Sequence, residues 1–541
     1  MPLPLRFLPA SDGALLVELD GLAPAMALHR ALLAQPVAGV QELVPAARTL
    51  LVHYRPEAIT SAALMRTLAV RAAAVDLAQD DAPPGRVVEI PVHYAGEDLP
   101  AVAELLGTSV REVIARHTGQ PWQAAFAGFA PGFVYLAGGH PSFQVPRRSA
   151  PRTRVPAGSV ALGGDFSAVY PSSSPGGWQL IGVTGVPMWD LRRPEPAYIQ
   201  PGFQVQFVDA GRAAVHISLP PEQEMKQKVP QAQEMHGPPA IEIIAIGLQT
   251  LVQDCGRAGM ASLGISPSGA LDLPAMRQAN RLVGNPASAP VLEHLLGGLR
   301  LRCHGRATLA VAGAPMALTL HGADGSRRTL PGDQAVALDD GDELSLAAPA
   351  AGVRAYVAVR GGWQVEPVLG SCATDTLAQV GPPALQPGQR LAVGGAVPVH
   401  AAQAPNVAAA PPLPRPGDEV VLDALLGPRT DWFTPEALHT FQTQAWQVTP
   451  QSSRVGMRLE GAQPLARARG GELPSEGTVT GAIQVPAGGQ PVLFLADHPL
   501  TGGYPVIAAV ARHHLPLAAQ IPVGCRVRFN VITPFFEQVV P

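Results

Sequence analysis

Lysine is almost absent from this chain of 541 residues, which has two lysines against 36 arginines. Lys226 and Lys228 both lie in the polar, proline-containing segment PEQEMKQKVPQAQEMHGPP. Schiff-base enzymes, P-loop nucleotidases and protein kinases each need a lysine ammonium inside a folded site. We therefore exclude these classes. Any binding of carboxylate or phosphate is assigned to arginine, to backbone amides or to a partner protein.

Charge and cysteine are also scarce. Charged residues make up 15% of the chain, and the net charge is -4 with acids and bases interspersed, so we predict no nucleic-acid partner. The four cysteines are far apart and form no CxxC pair, so we predict neither a metal site nor a disulfide framework. They are Cys255, Cys303, Cys372 and Cys525.

Long hydrophobic runs are missing as well. The N-terminal segment MPLPLRFLPASDGALLVELDG has no basic region followed by a continuous apolar stretch, so we predict no membrane association and a cytoplasmic location. The chain is instead rich in glycine (56) and proline (58), with 47% hydrophobic residues. This composition indicates a β-rich globular protein with many turns, divided into roughly three to four domains.

The hydrophobic pattern divides the chain into six segments. Residues 1–82 alternate strand-like and helix-like runs, which predicts a small α+β domain. Short β runs cut by glycine and proline fill the rest of the first half and predict a barrel. The remaining predicted segments are a barrel at 83–218, a linker at 219–239, a first barrel of the second half at 240–400, a second linker at 401–419 and a second barrel of that half at 420–541.

Two helices are predicted with defined starting points. Residues 97–118 read as one amphipathic helix opened by Asp98 and Pro100. The run LPAMRQANRLVG predicts a second helix with Asp272 as its N-cap.

Two stretches of the sequence are similar to each other. RVPAGSVALGG is followed by PGGW in the first half, and QVPAGGQPVLFLA is followed by TGGY in the second. The echo suggests a duplicated barrel with a glycine turn in the same place, although chains rich in glycine and proline also produce such matches by chance.

A first candidate cluster lies within residues 128–159. Prolines hold a loop rigid, so its arginine forks could be arranged in advance to bind a carboxylate or phosphate. A solvated basic loop is the alternative. The candidate anion-binding residues are Arg147, Arg148 and Arg152.

A second cluster follows the strand-like run IEIIAIGLQTLV. Short polar residues and glycines ahead of a helix N-terminus are typical of an anion pocket, and capping and turn chemistry is the alternative. The candidates are Gln253, Asp254, Arg257, Ser268 and Asp272.

A third cluster combines SSRVGMRLEG, LPSEGTVTGAIQVP and FLADHPLTGGYP. Asp497 and Glu476 are the catalytic candidates, because a carboxylate at a strand end beside a glycine turn is a credible general acid or base. Turn aspartates without a catalytic role are the commoner case. The binding candidates are Arg454, Ser475, Thr501 and Tyr504.

These motifs carry a family resemblance. GFAPGFVYL, PRRSAPRTRVPAGSVALGG and YPSSSPGGWQLIG resemble the C/D-type carboxyltransferase domain, known as the B subunit of 5-oxoprolinase, KipI or allophanate hydrolase subunit 1. LQTLVQDCGRAG, LGISPSGALD, ANRLVGNP, SSRVGMRLEG, SEGTVTGAIQVP and LADHPLTGGYP resemble the A/B-type partner, known as the C subunit of 5-oxoprolinase, KipA or allophanate hydrolase subunit 2. The resemblance implies a fusion of the two proteins, joined at 219–239, with tandem cyclophilin-like β-barrels after the α+β domain.

The resemblance also implies a reaction. It is the ATP-dependent opening of 5-oxo-L-proline to L-glutamate, with ATP, as its magnesium complex, consumed as a substrate and with the LamB/YcsF-type protein of 5-oxoprolinase as partner. Two alternatives remain at this point: the carboxyltransferase step of a split, biotin-dependent urea carboxylase, and regulatory binding to a sensor histidine kinase. No covalently bound biotin is expected, because Lys226 lies in QEMKQK without the methionine that follows a biotinylated lysine. Homo-oligomer formation stays open.

The first half differs from the family pattern at three positions. GGDFSAVYP stands where the family has a GGQTGIYP-like run, which places Asp165 and Phe166 at unexpected positions. GVTG replaces GRTP, so Val183 stands in place of an arginine. These changes remove polar groups from the implied pocket of the first half.

Overall fold

The computed structural model describes residues 5–75, 85–148, 150, 152–211, 239–402 and 412–540. Residues 219–238 of the first predicted linker and residues 403–411 of the second lie outside the described residues. The described parts form an N-terminal α+β domain followed by three strand-rich domains.

The N-terminal domain is a five-stranded sheet with two helices on one face. Its order is β3-β4-β2-β1-β34, so the C-terminal strand of the chain pairs antiparallel with the first strand. The opposite face of the sheet packs on the fourth domain. The elements are β1 (Leu5–Ser11), β2 (Ala14–Glu18), α1 (Leu22–Ala34), β3 (Val40–Pro45), β4 (Thr49–Tyr54), α2 (Ser61–Ala73) and β34 (Gln538–Val540).

Burial on both faces explains why these strands read as unbroken apolar runs. Phe7 and Val17 face the helices, whereas Leu8 and Leu16 face the fourth domain, because successive residues of a strand point to opposite sides. The N-terminal sheet is therefore part of the contact between the two halves of the chain.

The second domain is a seven-stranded barrel with the order β12-β9-β10-β7-β6-β13-β5. Reciprocal backbone hydrogen bonds between His93 and Val183 join its two end strands. The elements are β5 (Val87–Val92), α3 (Leu99–Leu105), α4 (Val110–Thr118), β6 (Trp122–Ala127), β7 (Val134–Ala137), β8 (Arg152–Val155), β9 (Ser159–Gly163), β10 (Phe166–Val169), β11 (Ser174–Gly176), β12 (Gln179–Val183) and β13 (Gln204–Asp209).

The prediction of one helix over 97–118 is wrong, because two helices, α3 and α4, occupy this range. Gly107 between them has φ +61°, a left-handed conformation that glycine adopts without the steric cost of a Cβ. Ser109 then caps α4, accepting a hydrogen bond from the Glu112 N–H at 3.2 Å.

The third domain encloses one core between two sheets, ordered β20-β19-β22-β17-β14-β24 and β15-β16-β23-β18-β21. The predicted N-cap is confirmed, since Asp272 Oδ1 accepts from the Ala275 N–H at 3.0 Å. The elements are β14 (Ala240–Ile246), β15 (Gln249–Gln253), α5 (Leu273–Leu282), β16 (Val291–Leu295), β17 (Leu299–His304), β18 (Ala307–Gly313), β19 (Leu318–His321), β20 (Arg327–Leu330), β21 (Ala335–Leu338), β22 (Glu343–Leu346), β23 (Arg354–Val359) and β24 (Arg390–Ala392).

The fourth domain is a closed barrel with the order β25-β32-β29-β30-β27-β26-β33. Its elements are β25 (Glu419–Leu426), α6 (Pro435–Thr443), β26 (Trp446–Val448), β27 (Gly456–Glu460), β28 (Glu476–Gly477), β29 (Ala482–Gln484), β30 (Val492–Phe494), β31 (Thr501–Gly502), β32 (Val506–Val510), α7 (Leu515–Ala518) and β33 (Arg526–Thr533).

The second and fourth domains share one topology. Strands β5 to β13 and β25 to β33 occur in the same spatial order, the first and last strand of each set run parallel, and each barrel carries a separate ribbon, β8 with β11 and β28 with β31. The repeated glycine turn is confirmed, since PGGW and TGGY both lie on the second ribbon strand and the residues after it. The VPAG segments are not equivalent, because the first follows β8 and the second follows β29.

Candidate active site at a three-domain junction

Loops of the second, third and fourth domains meet at one junction. The Gly132 N–H donates to Leu263 O at 3.1 Å, and the Phe129 N–H donates to Thr501 Oγ1 at 3.1 Å. The packing requires glycine at Gly128, where a Cβ would lie 2.4 Å from Thr501 Oγ1. Both halves of the chain are therefore needed to build this region.

Backbone strain concentrates near the same junction. Within the described chain, six residues other than glycine have positive φ, and four of them belong to loops that reach the junction. Such conformations are unfavourable for residues with a Cβ and cluster at functional sites. The four are Phe129 (φ 63°), Ser268 (φ 55°), Leu369 (φ 52°) and Gln379 (φ 53°).

A buried ion pair lies at the centre. The Arg454 fork donates to both oxygens of the fully buried Asp497, with Nε–Oδ2 at 3.0 Å and Nη2–Oδ1 at 2.9 Å. Arg454 also donates to Glu293 and to the carbonyl of Gly269 in the third domain, the latter at 2.7 Å. The pair thereby fastens the fourth domain to the third.

Asp497 has no free acceptor position. Ser268 Oγ donates to Oδ1 at 2.7 Å, and the Thr376 N–H and hydroxyl donate to Oδ2 at 2.9 and 2.7 Å, in addition to the two bonds from Arg454. Burial alone would raise the pKa of Asp497, but the Arg454 guanidinium outweighs it and holds this pKa below its usual value. The structure therefore places this predicted catalytic residue as a charged anchor.

Glu476, the other predicted catalytic residue, lies at a different contact. Its buried carboxylate accepts from Arg429, with Nε–Oε2 at 2.9 Å, and Arg429 Nη1 also donates to Glu18 Oε2 at 2.8 Å. Burial raises the pKa of Glu476, and the Arg429 charge opposes that shift. Glu476 thus joins the fourth domain to the N-terminal sheet and is not brought to the central pair.

Several buried polar atoms beside the central ion pair have no hydrogen-bond partner among the described residues. Within the described residues, Gln253 Oε1, Arg257 Nε and Nη1, and Asp375 Oδ2 are buried and have no hydrogen-bond partner. The three side chains neighbour one another, since Gln253 Nε2 donates to Thr374 O at 2.8 Å and Arg257 Nη2 donates to Ala373 O. Because unpaired buried polar atoms are costly, such a group is typical of a site that a ligand completes.

Asp375 connects this group to a shallow cleft that is open to solvent, and the volume of about 180 Å³ at this place includes the open solvent at its mouth. The cleft is lined by residues of three domains: Phe129 and Pro131 of the second, Asp375 and Leu377 of the third, and His498 of the fourth. Burial, followed by the negative charge of Asp497, raises the pKa of Asp375 to about 7. Sequence reasoning missed Asp375, because SCATDT has no spacing that distinguishes it from an ordinary turn.

The second cluster mostly converges on the junction, as Gln253, Arg257 and Ser268 surround the central pair. Asp254 fixes the loop that carries Asp375, accepting from Ser371 Oγ at 2.6 Å and from the Cys372 N–H at 2.7 Å. Asp272 lies apart as the cap of α5, where Gln520 Nε2 also donates to it at 2.8 Å. Capping is thus observed at Asp272, and an anion pocket at the other residues of this cluster stays a prediction.

The three arginines of the first cluster lie in two different places. Arg148 and Arg152 both donate to Asp98 Oδ1, at 2.9 and 2.8 Å, within the second domain. Arg147 instead reaches the fourth domain, where a Cβ on Gly503 would lie 2.3 Å from its Nη1. Its contact with Glu472 is loose, at 3.9 Å.

Arg147 marks a seam between the two topologically equivalent barrels. Tyr135 Oη and Ser475 Oγ are 3.0 Å apart across this seam. Thr501 accepts from the second domain as described above, and Tyr504 directly follows Gly503, the glycine that Arg147 contacts. Ser475, Thr501, Tyr504 and Arg147 therefore lie along one interface, whereas Arg148 and Arg152 do not.

One group of possible metal ligands occurs among the described residues: Asp423, His513 and His514 of the fourth domain. Its polar atoms already have partners, as His513 Nε2 lies 3.0 Å from Asp423 Oδ2 and the Asp423 N–H donates to His514 Nδ1 at 2.8 Å. These residues contribute nothing to the junction. No helix of the described chain is both long and apolar enough to span a bilayer.

One exposed cysteine lies near the junction and offers a simple test of the packing. Cys255 is exposed, whereas Cys303, Cys372 and Cys525 are buried, and partial burial raises the pKa of the Cys255 thiol. We expect a disulfide reagent to label one thiol per native chain and four after unfolding, with faster labelling as the pH rises. Cys255→Ser should abolish native labelling, and a second reactive native thiol would contradict the packing of the domain that carries it.

Two family models match the chain. "Carboxyltransferase domain, subdomain C and D" matches residues 5–199, and "Carboxyltransferase domain, subdomain A and B" matches residues 263–531. The chain belongs to the carboxyltransferase-domain family. The predicted fusion of a C/D-type half with an A/B-type half is thereby confirmed.

Curated relatives match the halves separately. The second half is 38% identical over 295 residues to the C subunit of 5-oxoprolinase from Escherichia coli (53% of this chain, 90% of the relative). The chain is 37% identical over 193 residues to the B subunit of 5-oxoprolinase from Bacillus subtilis (34% of this chain, 80% of the relative). It is 32% identical over 323 residues to the urea amidolyase of Lachancea kluyveri, covering 55% of this chain but 17% of that longer protein.

A solved structure matches nearly the whole chain. A crystal structure of TTHA0988 is 35% identical, with a TM-score of 0.79, and the match covers 96% of this chain and 100% of that one. The expected mainly β fold with tandem cyclophilin-like barrels is confirmed.

Proposed function

We propose that this chain is the fused B/C component of an ATP-dependent 5-oxoprolinase. It would open the lactam of 5-oxo-L-proline to L-glutamate together with a partner of the LamB/YcsF type. One observation carries the proposal: loops from both halves, each similar to a different 5-oxoprolinase component, assemble one polar junction. A single polypeptide therefore supplies what two separate proteins supply elsewhere.

The junction has chemistry that suits a small amide bearing a carboxylate. The Nε–H and Nη1–H of Arg257 have no partner among the described residues, and because they lie on different edges of the guanidinium, each can donate a single charge-assisted hydrogen bond to a carboxylate oxygen. Gln253 Oε1 is a free acceptor for a lactam N–H. We propose that these two side chains hold the substrate.

We propose that ATP, with magnesium, is a substrate and that the chain carries no covalently bound biotin. The phosphoryl group would activate the lactam oxygen and leave as phosphate. None of the described residues is a lysine, so phosphate contacts from this part of the chain would come from arginine or backbone N–H groups. The LamB/YcsF-type partner would supply the remaining contacts.

The test is glutamate release from 5-oxoproline and ATP by this protein with the LamB/YcsF-type protein of the same organism. We expect activity that requires both proteins, and none with either protein alone. A stable complex of two folded proteins that releases no glutamate would contradict the proposal.

The similarity of the second half to a urea amidolyase favours one further candidate, a carboxyltransferase acting on urea. This function needs a separate biotinylated protein. Transfer of carboxyl from carboxybiotin to urea, in an assay in which 5-oxoproline is inert, would support it in place of the oxoprolinase.

A further inference from the structure

We propose that Asp375 is the acid–base residue of the junction, exchanging a proton with the amide nitrogen of a substrate bound in the adjacent cleft. This assignment rests on the proposed function and deepens it. It moves the acid–base role away from Asp497 and Glu476, the two carboxylates that sequence reasoning selected.

Hydrogen bonding separates Asp375 from the other carboxylates near the junction. Asp497 and Asp254 accept hydrogen bonds on both oxygens, and Glu293 accepts from Arg454 on one oxygen and from Tyr356 Oη on the other, the latter at 2.9 Å. These carboxylates therefore have no unengaged oxygen that could exchange a proton with a bound molecule.

Asp375 is engaged on one oxygen only. Its Oδ1 accepts from the N–H groups of Leu377 and Ala378 at 2.9 and 2.8 Å, which fixes the orientation of the carboxyl group. Its Oδ2 has no partner among the described residues, and the side chain lines the cleft. A fixed carboxyl group with one free oxygen at a cleft has the geometry that proton transfer to a bound molecule requires.

The surrounding charges place its titration in a useful range. Burial and, after it, the negative charge of Asp497 together raise the pKa of Asp375 to about 7, against the opposing effect of the Leu377 and Ala378 N–H groups and the Arg257 guanidinium. His498 lines the same cleft, but burial lowers its pKa, so it is neutral at pH 7. A general acid works best when its pKa lies near the working pH.

The proposed proton transfer accompanies ring opening. Once water has added to the activated lactam carbon, the C–N bond of the adduct breaks and its electron pair moves to nitrogen. The neutral Asp375 carboxyl group gives its proton to that nitrogen, which becomes the amino group of glutamate. The former lactam carbon is then an acyl phosphate, which a second water hydrolyses to the carboxylate of glutamate and inorganic phosphate. The proton released in that hydrolysis returns to the Asp375 carboxylate.

The first experiment compares Asp375→Asn with wild type in the reconstituted enzyme. We expect kcat to fall about 100-fold or more, the usual effect of losing a general acid, with KM changed much less. Wild-type kcat should decline above about pH 7, as the acid loses its proton, and this decline should be absent from the variant. Asp339→Asn, at a side chain that is 79% exposed, should leave activity unchanged.

A second readout does not depend on activity. The folded pKa of Asp375 lies above its ordinary value of 3.8, so its stabilising effect is complete below about pH 4 and is lost as the pH rises through about 7. Asparagine mimics the neutral acid at every pH. The Tm of Asp375→Asn relative to wild type should therefore rise between these two pH values and then level off.

The outcomes separate the two proposals. Inactive wild type with a folded, associated partner overturns the proposed function and the acid–base role together. Active wild type with a fully active Asp375→Asn overturns the acid–base role alone. A Tm difference that does not change with pH also overturns it, because Asp375 would then titrate as an ordinary exposed carboxyl group.

Discussion

Arg454→Met is expected to destabilise the protein by about 3–5 kcal/mol, the usual cost of breaking a buried ion pair from one side. Methionine fills similar volume but donates no hydrogen bond. It would leave the buried carboxylates of Asp497 and Glu293 without their shared cation, and the Gly269 carbonyl without a donor. The measurement is the free energy of unfolding in urea, followed by tryptophan fluorescence.

A matched surface variant controls for the loss of one arginine. Arg526 belongs to the same barrel, its side chain is 58% exposed, and its Nε lies 3.9 Å from Glu419. Arg526→Met should cost under about 1 kcal/mol. Equal effects of the two substitutions would show that the Arg454 pair does not hold the third and fourth domains together.

Arg429→Met is expected to cost about 3–5 kcal/mol at the other end of the interface between the halves. The substitution leaves Glu476 buried without its cation and also removes a bond to Glu18. The unfolding free energy should fall, and backbone hydrogen exchange should quicken in β28 and in the paired strands of the N-terminal sheet.

The double variant Arg429→Met/Glu476→Gln tests whether the two residues stabilise each other. Glutamine removes the uncompensated buried charge, so the double variant should regain much of the stability that Arg429→Met loses. Glu476→Gln alone keeps the arginine paired with Glu18 and should cost less than Arg429→Met. A double variant as unstable as the sum of the two single variants would show that the residues do not interact.

Local features of the fold were accessible from the sequence where one residue type decides the outcome. Asp272 caps α5 because a short carboxylate before a helical run accepts the free N–H groups of the first turn. The break at Gly107 was missed because the apolar periodicity continues across it, and the periodicity does not report the sign of φ. The pairing of β34 with β1 joins residues from opposite ends of the chain, which no local pattern indicates.

The candidate site, too, could be predicted from the sequence only in part. Arg257, Ser268, Arg454 and Asp497 were selected as polar residues beside glycines, but in separate clusters, because their meeting depends on how two barrels pack. Residue type alone suggested acid–base chemistry for Asp497 and Glu476, whereas their buried arginine partners are visible in the fold alone. Asp375 was missed for the same reason, since its free oxygen is a property of its surroundings.

The central claim, that the three-domain junction is where the amide substrate binds, is tested most directly by a crystal structure of the complex with the LamB/YcsF-type partner, 5-oxoproline and ADP. We predict the lactam in the cleft beside Phe129, with its nitrogen within hydrogen-bond distance of Asp375 Oδ2, about 2.6–3.2 Å, and its carboxylate on Arg257. A lactam bound elsewhere, for example at Arg147 on the seam between the barrels, with an empty cleft at Asp375, would contradict the account.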